Sequence, residues 1–250
     1  MESTAVEADV MERVIPAGYI QLMFHYKNPF VVVEPKGTFI QQPRSVISGL
    51  SNTFSDVSTK GEAGVVFVSF RPAGACHFFD FPLSEIENLS IDLNDIFQSE
   101  ISRVEEALYF AHTITEKVAV IEHFLLGRWS PIPNHDSLLI NKGLEIIQEK
   151  QGRATVRLLS HSLYTSPKTL ERKFTKYLGK TTGQLIRLLR FQQVLQGFSQ
   201  TKNISLTDRA YLHGYFDQSH FIHDFKEWTG YAPREFTQKY PDFQVNNDIF

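Results

Sequence analysis

One hydrophobic stripe stands out near the end of the chain, in the stretch GYFDQSHFIHDFKEWTGYAPREF, residues 214–236. Phe221, Phe225 and Trp228 follow one another at intervals of four and three residues. These intervals place the three side chains on one face of an α-helix, so the pattern predicts a helix with a buried apolar stripe. The histidines and charged residues between them would then face outward.

The same skeleton occurs 51 residues upstream, in SPKTLERKFTKYLGKTTGQL, residues 166–185. Nearly all of the polar residues differ between the two copies. A repeat that keeps its apolar spacing and changes its polar residues is typical of one supersecondary unit used twice, with two different outward faces. The positions that correspond are Leu170 and Phe221, Phe174 and Phe225, Gly179 and Gly230, and Leu185 and Phe236.

Each copy carries the start and stop signals of a helix. Ser166 and Asp217 stand at N-cap positions, where a side-chain oxygen accepts a hydrogen bond from an otherwise unpaired backbone amide. Gly179 and Gly230 are placed to end the two helices.

A shorter amphipathic segment precedes each predicted helix, at residues 155–163 and at residues 205–215. Each copy therefore predicts a helix, a tight turn and a second helix. Residues 182–199 contain no proline and predict a helix that connects the two units. In a helix-turn-helix the second helix enters the DNA major groove, and two such helices about 34 Å apart would meet successive grooves.

The first half of the chain contains runs in which apolar and polar residues alternate, and this period of two predicts β-strands. We predict strands at residues 19–26, 30–33 and 64–70. Residues 51–64 are rich in turn formers and are expected to separate strands. A small β-barrel or sandwich follows from this pattern.

Two helical stretches follow the strands, at residues 98–110 and 115–126. We expect the apolar stripe of the second stretch to pack on the strands, with dimerisation as the alternative. The stripe consists of Val118, Ile121, Phe124 and Leu125.

A proline-rich segment, SPIP at residues 130–133, divides the chain into two predicted domains, residues 1–133 and 134–250. The formal net charge of −3 hides a contrast between them. The first carries 9 Lys and Arg against 17 Asp and Glu, whereas the second carries 16 against 11. The basic balance of the second domain indicates a polyanionic partner.

Cysteine usage and the absence of targeting signals suggest a compartment. Cys76 is the single cysteine of the chain, so no intrachain disulfide is possible and a reducing cytoplasm is expected. The first residues, MESTAVEADVMERV, are acidic and lack the basic start and apolar core of a signal peptide. No apolar run approaches the roughly 18 residues that span a bilayer. We therefore expect a cytoplasmic protein without membrane contact.

The segment from Ser137 to Gln238 resembles the DNA-binding domain of the AraC family of bacterial transcription regulators. The resemblance rests on the stretches GYFDQSHFIHDFKEWTGYAP and TSPKTLERKF. The stretches VIPAGYIQLMFHY and VSFRPAGACHFFDFPLSEIEN are similar to the cupin-like sensory domain of one group of these regulators. The resemblance implies an α+β chain of two domains. These are an N-terminal β-rich cupin-like barrel with helices and a C-terminal all-α domain, in which a linker helix joins two helix-turn-helix units.

The same resemblance implies the partners of the protein. They are double-stranded promoter DNA, RNA polymerase, a small-molecule effector of unknown identity and a second copy of the chain in a homodimer. Regulation would follow from differential binding, because the effector or the dimer changes how the basic domain engages DNA. The resemblance implies no cofactor, no metal and no catalytic residue.

On the first predicted recognition helix, Arg172 suits guanine O6 and N7, and Glu171 can accept a hydrogen bond from cytosine N4. Lys173 and Lys176 are expected at phosphate groups, where they position the helix without specifying sequence. The alternative is that these charges are merely solvated. The full set of predicted DNA-binding residues is Lys168, Thr169, Glu171, Arg172, Lys173 and Lys176.

On the second predicted recognition helix, Gln218 suits adenine N6 and N7, and Ile222 can pack on a thymine methyl group. The family usually has a basic residue at the position of His223 and a small one at that of Asp224, which predicts weaker DNA binding by this unit. The full set here is Gln218, Ser219, His220, Ile222 and His223.

Three further residues depart from the family pattern. Tyr164 occupies the turn of the first unit, where the family often has glycine, and a bulky residue there is costly if the backbone needs a positive φ. Arg209 and His213 stand where the first helix of the second unit is usually apolar. They indicate either a loosened motif or contacts with a partner.

Two other classes of protein compete with this interpretation. A metal-dependent cupin enzyme would need converging histidine and carboxylate ligands, but the strand region contains no His-x-His pair. Cys76 beside His77 resembles a nucleophile and its base, although adjacent residues of a strand point to opposite faces. The third class keeps the fold but acts through protein contacts, and salt-dependent DNA binding would separate it from a regulator.

Overall fold

The computed structural model describes residues 2–3, 11–33, 38–151, 153–200, 206–212 and 214–241. The strands are β1 (Glu2–Ser3), β2 (Glu12–Val14), β3 (Gln21–His25), β4 (Phe30–Val33), β5 (Phe39–Gln41), β6 (Ser45–Ser48), β7 (Ser55–Thr59), β8 (Ala63–Ser69) and β9 (Ser90–Asp92). The helices are α1 (Leu93–Phe97), α2 (Ser99–Phe110), α3 (Ile114–Leu126), α4 (Asn134–Glu149), α5 (Val156–Ser162), α6 (Pro167–Leu178), α7 (Thr182–Gln200), α8 (Leu206–Leu212), α9 (Gln218–Thr229) and α10 (Pro233–Lys239). Two short 3-10 helices, Ala75–His77 and Leu83–Ile86, join β8 to β9. None of the helices in these ranges combines the length and the apolar character that a membrane crossing requires.

The strands form two antiparallel sheets. One sheet has the order β1-β8-β3-β6-β9 and the other the order β2-β7-β4-β5. The fold class expected from the sequence, a β-rich N-terminal part followed by a helical part, is confirmed. The predicted barrel is corrected in one respect, because the two sheets do not close into a cylinder.

Strand β3 lies in the middle of the five-stranded sheet, and both of its faces are covered. Leu22 and Phe24 are fully buried on the face toward the helices. Met23 and Val65 are buried on the opposite face, where Phe30 of the other sheet packs against them. A central strand that is covered on both faces carries apolar residues at consecutive positions, which explains the run of Leu22, Met23 and Phe24.

Helix α3 covers the five-stranded sheet. Ile121 and Phe124 are buried, and the rings of Phe24 and Phe124 meet edge to face with their centroids 6.4 Å apart. The predicted packing of the α3 stripe on the strands is therefore confirmed for these two residues. Val118 lies at the edge of the stripe and remains 37% exposed.

The sequence patterns missed strand β7, which lies inside the stretch expected to form turns. Its residues, SDVST, are mostly small and polar, and only one of them is fully buried. The strand forms because its backbone pairs with β2 on one side and β4 on the other. Neither partner could be deduced from local composition.

Core packing continues across the predicted boundary between residues 133 and 134. Leu83 and Ile86 of the second 3-10 helix belong to the same buried cluster as Leu170 and Phe174 of α6. The helices after α6 build a second cluster around Phe191 and several aromatic residues of α9. The N-terminal sheet and the first helical unit are thus packed as one body.

Candidate nucleic-acid interface

Each predicted helix-turn-helix is part of a three-helix unit. The first unit consists of α4, α5 and α6, and the second consists of α7, α8 and α9. We call α4 and α7 the scaffold helices, and α6 and α9 the recognition helices. Ile140 of α4 and Phe191 of α7 are 51 residues apart and both fully buried, so the repeat extends to the scaffold helices. Helix α7 confirms the predicted connecting helix and also serves as the scaffold of the second unit.

The recognition helices begin and end as the sequence predicts. The Ser166 side chain accepts a hydrogen bond from the Thr169 amide at 3.1 Å, and the Asp217 carboxylate accepts one from the His220 amide at 2.7 Å. Both helices stop at a glycine in the left-handed conformation, Gly179 with φ 80° and Gly230 with φ 77°. The two recognition helices therefore start and stop in the same way, so side chains at equivalent positions can be compared directly.

The turns between the two helices of each unit share one conformation. Tyr164 has φ 49° and its amide donates to the carbonyl of His161. Gly214 has φ 75° and its amide donates to the carbonyl of Tyr211. The turn of the first unit thus needs the positive φ that glycine adopts freely, although a tyrosine stands there. The side chain of Arg209 and all of Ser205 and His213 lie outside the described residues.

The apolar face of each recognition helix is fully buried. Phe221 and Phe225 have no exposed surface, and Trp228 is 3% exposed. The rings of Phe191 and Trp228 lie with their centroids 4.4 Å apart, which anchors α9 to its scaffold helix. In the first unit, Leu170, Phe174 and Tyr177 occupy the equivalent buried positions.

Three of the six residues predicted on α6 lie on its outer face. Lys168, Arg172 and Lys176 are exposed. The Lys176 ammonium lies 4.8 Å from the centre of the Tyr177 ring, which holds the stem of the lysine along the helix end. These three cations give α6 a basic outer face.

The other three predicted residues of α6 engage protein groups. Thr169 bonds to the hydroxyl of Ser166, and Glu171 accepts a hydrogen bond from the backbone amide of Thr182 at 2.7 Å. Lys173 is ion-paired with a buried carboxylate of α4. The prediction that Lys173 lies on the outer face is therefore corrected, because its ammonium points toward the scaffold helix.

On α9, four of the five predicted residues are exposed: Gln218, Ser219, His220 and His223. Ile222 is half-buried and packs against the second core cluster. At the predicted positions α9 therefore presents amide, hydroxyl and imidazole groups, and Lys226, which was not among them, is the exposed cation one turn further along the same face.

A buried ion pair holds α6 to α4. Asp136 is 2% exposed and pairs with the Lys173 ammonium, while it accepts a hydrogen bond from the Tyr177 hydroxyl at 2.8 Å. Burial by itself raises the pKa of the Asp136 carboxyl, but the hydrogen bonds from Lys173 and Tyr177 outweigh it, and the pKa is lowered overall. Burial and the bond to Asp136 raise the pKa of Tyr177 to about 12.

A second buried ion pair holds α9 to α7. Asp224 is 1% exposed and receives two hydrogen bonds from Arg187, at 2.7 and 3.1 Å. Arg187 also bonds to Glu227 at 2.5 Å, and its guanidinium lies 4.7 Å from the centre of the Trp228 ring. The bond to Asp224 raises the pKa of Arg187. The Asp224 carboxylate is thus inside the unit and not on the outer face of α9.

Sequence analysis missed the scaffold residues of both pairs. Asp136 and Arg187 are themselves 51 residues apart, so extending the repeat upstream from Leu170 would have found them.

Within the described ranges, one group of three side chains has the spacing of metal ligands: His223, Asp224 and Glu227. Arg187 already binds both carboxylates of this group. A cation placed there would have to displace the guanidinium. The group is therefore better explained as the ion pair that holds α9.

The N-terminal half contacts the C-terminal end of α9. The Arg13 guanidinium donates to the carbonyl of Thr229 at 3.1 Å and is held by two 2.7 Å hydrogen bonds to Asp56. The rings of Phe54 and Tyr231 lie 4.0 and 4.5 Å from it. A cation at the C-terminal end of a helix is favoured by the helix dipole.

A similar contact holds the C-terminal end of α6. Lys180 is 1% exposed, and its ammonium lies 2.9 Å from Glu87 and 2.6 Å from Asn52. Burial lowers the pKa of Lys180, and the hydrogen bond from Lys180 to Glu87 offsets only part of this effect, so the pKa is lowered overall. Residues 52–56 therefore lie beside the ends of both recognition helices: Asn52 bonds to Lys180, just after α6, and the Thr53 hydroxyl donates to the Glu227 carbonyl of α9 at 3.1 Å.

Comparisons with known proteins agree with this geometry. The family model described as a helix-turn-helix domain matches residues 159–239. Residues 159–239 form an AraC-type helix-turn-helix domain. The model described as a domain of unknown function, DUF6597, matches residues 2–92, to which the AraC-type domain is joined. No curated protein shows significant similarity to the chain.

Some of the similar solved structures match nearly the whole chain, and others match about half of it. ToxT from Vibrio cholerae O395 has 11% identity and a TM-score of 0.50, and the match covers 97% of this chain and 98% of ToxT. Wild-type ToxT from Vibrio cholerae strain SCE256 with a bound unsaturated fatty acid has 14% identity and a TM-score of 0.50, with 94% of each chain covered. A DNA-binding transcriptional dual regulator from Escherichia coli K-12 has 23% identity and a TM-score of 0.37, covering 46% of this chain and 98% of that one. At these identities the ToxT likeness concerns the fold.

The turn of the first unit leads to a stability prediction. Tyr164→Gly should raise the free energy of unfolding by about 1 kcal/mol, because a left-handed backbone costs a non-glycine residue roughly 1–2 kcal/mol. The Tyr164 side chain is 96% exposed, so its removal loses no packing. Urea unfolding of the two proteins measures the difference. Gly214→Ala is the matched control and should lower the stability by a similar amount, and a less stable Tyr164→Gly protein would contradict the account.

Proposed function

We propose that this protein is a sequence-specific transcription regulator that places its two recognition helices in successive major grooves of promoter DNA. The observation that carries the proposal is the correspondence of the two units, which bury equivalent positions and expose equivalent ones, such as Lys168 and Ser219. Helix α7 joins the units, since Leu185 and Leu189 pack in the first core cluster and Phe191 and Val194 in the second, so one continuous helix supports both recognition helices. RNA polymerase and a second copy of the chain are the protein partners in this proposal.

Cys76 and His77 are not arranged as a nucleophile and its general base. Its thiol donates a hydrogen bond to the carbonyl of Ala73, and burial raises its pKa to about 11. The neighbouring His77 donates through Nδ1 to the carbonyl of Ser130, at 3.1 Å. The two side chains are engaged separately, which supports binding over nucleophilic chemistry.

Selection from a random DNA pool with the full-length protein tests the DNA-binding proposal. We expect a bipartite site with half-sites about one helical turn apart, and an affinity that falls steeply as salt rises. Recovery of no DNA at low or near-physiological salt would favour a protein that acts through protein contacts alone. The full chain is required because core packing continues across residues 133 and 134.

Two substitutions on α6 separate base contacts from phosphate contacts. Arg172→Ala should cost roughly 1–3 kcal/mol of binding and relax specificity at one base, because an arginine fork recognises guanine. Lys176→Ala should weaken binding to all sequences alike and reduce the salt slope by about 1. Binding titrations on the selected site and its single-base variants provide the measurement. Lys142→Ala, at an exposed lysine of α4 paired with Glu145, is the control, and identical effects of the first two substitutions on every DNA would contradict the assignment.

We also propose that the N-terminal half modulates DNA binding by fixing the two recognition helices relative to each other. The contacts of Arg13 with Thr229 and of Lys180 with Asn52 and Glu87 support this, because they join both helix ends to one loop region. Two helices held at a fixed separation bind a bipartite site with less ordering cost than two loosely joined ones.

Arg13→Ala should therefore reduce affinity for a full bipartite site roughly tenfold, which is a coupling of about 1.4 kcal/mol. Affinity for a DNA that carries only the α6 half-site should stay unchanged. Fluorescence anisotropy on the two DNAs measures the difference, with Lys27→Ala at a surface ion pair to Glu62 as the control. Equal losses on both DNAs would show that Arg13 acts on overall stability and not on the separation of the helices.

An effector site is the remaining part of the proposal. A cleft of about 270 Å³ lies between the first 3-10 helix, the segment before α4 and the end of α6, and it is lined by His77, Arg128 and Lys176 beside Phe79 and Tyr177. Asp80 also lines the cleft and Arg128 is paired with Glu100 at 2.6 Å, but the basic side chains outnumber the lining carboxylate. Basic side chains next to aromatic walls suit a small carboxylic acid, and ToxT has been solved with an unsaturated fatty acid. The cleft is below the roughly 300–1,000 Å³ of drug-sized ligand sites, which favours an acid smaller than a long-chain fatty acid.

Short-chain and aromatic carboxylic acids should therefore change the fraction of DNA bound by the full-length protein. Arg128→Gln should abolish the response to the acid and leave DNA binding without the acid intact. A response of equal size in the variant would place the effector elsewhere.

A further inference from the structure

The two buried ion pairs of the helical units occupy equivalent positions but have opposite polarity. In the first unit the scaffold residue is acidic, Asp136, and the recognition residue is basic, Lys173. In the second unit the scaffold residue is basic, Arg187, and the recognition residue is acidic, Asp224. Each member lies 51 residues from its counterpart.

In both pairs the carboxylate is buried, so its charge depends on its partner for stabilisation. The acidic member is 2% exposed in the first unit and 1% exposed in the second. A buried carboxylate that loses its partner is strongly destabilising, since its desolvation is no longer compensated. Neither recognition helix can therefore exchange its partner for a neutral or like-charged one without a large loss.

Exchanging the recognition helices between the two units would bring like charges together. Asp136 would face Asp224, and Arg187 would face Lys173. The apolar residues of the two helices share their spacing but differ in size, with Leu170 and Tyr177 in the first unit where Phe221 and Trp228 stand in the second, so they discriminate by shape. The reversed charges add a second discrimination to this one, because every exchanged pair would be repulsive.

Such an exchange is sterically accessible because helix α7 belongs to both units. Leu185 and Leu189 of α7 lie in the first core cluster, whereas Phe191 and Val194 lie in the second. This one helix therefore contacts both recognition helices, and either could compete for its surface during folding. Two copies of the chain could also exchange the equivalent helices.

We propose that the reversed polarity of the two ion pairs assigns each recognition helix to its own scaffold helix and prevents exchange within or between chains. Asp136, Lys173, Arg187 and Asp224 are positioning residues in this proposal. The assignment holds whether or not the chain binds DNA.

Refolding of full-length variants tests the proposal. Asp136→Arg with Lys173→Asp gives both units the same polarity, so correct and exchanged pairings are all attractive. The quadruple variant, which adds Arg187→Asp and Asp224→Lys, reverses both units and restores the difference between them. After dilution from urea, size-exclusion chromatography and thermal melting measure the yield of native protein.

We expect the same-polarity variant to keep a melting temperature within a few degrees of the parent when folded, but to lose severalfold in native yield to exchanged or associated forms. The quadruple variant should recover the yield of the parent. Equal native yields for the parent and the same-polarity variant would overturn the proposal, as would a quadruple variant that refolds no better than the same-polarity one.

A second set of variants separates pairing from local packing. Lys173→Asp with Asp224→Lys makes both native pairs repulsive and both exchanged pairs attractive, so it should lower the melting temperature and the native yield sharply. Adding Asp136→Arg and Arg187→Asp should restore most of the loss, since the charges then match again. If the quadruple variant instead melts lower than the double variant, or fails to fold, each substitution has lowered the stability independently. The four residues would then act through shape alone, and the proposal would be wrong. Glu227 also bonds to Arg187, but its 39% exposure lets water solvate it in all of these variants.

Discussion

Burial of one apolar face of each recognition helix against its scaffold helix is the constraint on which the rest of the helical half depends. Leu170 and Phe174 in one unit, and Phe221 and Phe225 in the other, have no exposed surface. Burying each of these side chains contributes roughly 1.5–3 kcal/mol, more than surface interactions of the same helices can contribute. The apolar face thereby fixes the rotation of each helix, and the opposite face is left for polar residues that can vary without cost to the fold.

The same constraint explains why two units of one design can present different chemistry. The outer face of α6 carries two lysines and an arginine, whereas that of α9 carries amide, hydroxyl and imidazole groups with Lys226 as its cation. A DNA site recognised by both would combine a strongly salt-dependent half with a half that depends more on hydrogen bonds. The N-terminal half adds to this arrangement at the ends of the helices, where Arg13 and Lys180 connect it to α9 and α6.

Local patterns in the sequence were sufficient for helices α5 to α9, but they did not identify α4, α10 or the polar contacts of the helical half. The repeat, the N-caps at Ser166 and Asp217 and the glycine stops follow from spacing and backbone chemistry, and all are present in the structure. Lys173 was misplaced because a lysine beside a buried carboxylate and a lysine beside a phosphate have the same local sequence. Strand β7 was missed for a related reason, since its partners β2 and β4 come from distant parts of the chain.

The central claim is that the two recognition helices face one side of DNA about one helical turn apart, and directed DNA cleavage tests it most directly. Lys168 and Ser219 occupy equivalent exposed positions, and either can be replaced by cysteine and given a DNA-cleaving chelate. Cys76 is buried and its thiol pKa is raised to about 11, so the introduced thiol should react selectively. The account predicts two clusters of cuts on one face of the bound DNA, separated by about 10 base pairs or 34 Å. Cuts at the same position from both variants, or cuts spread evenly along the DNA, would contradict it.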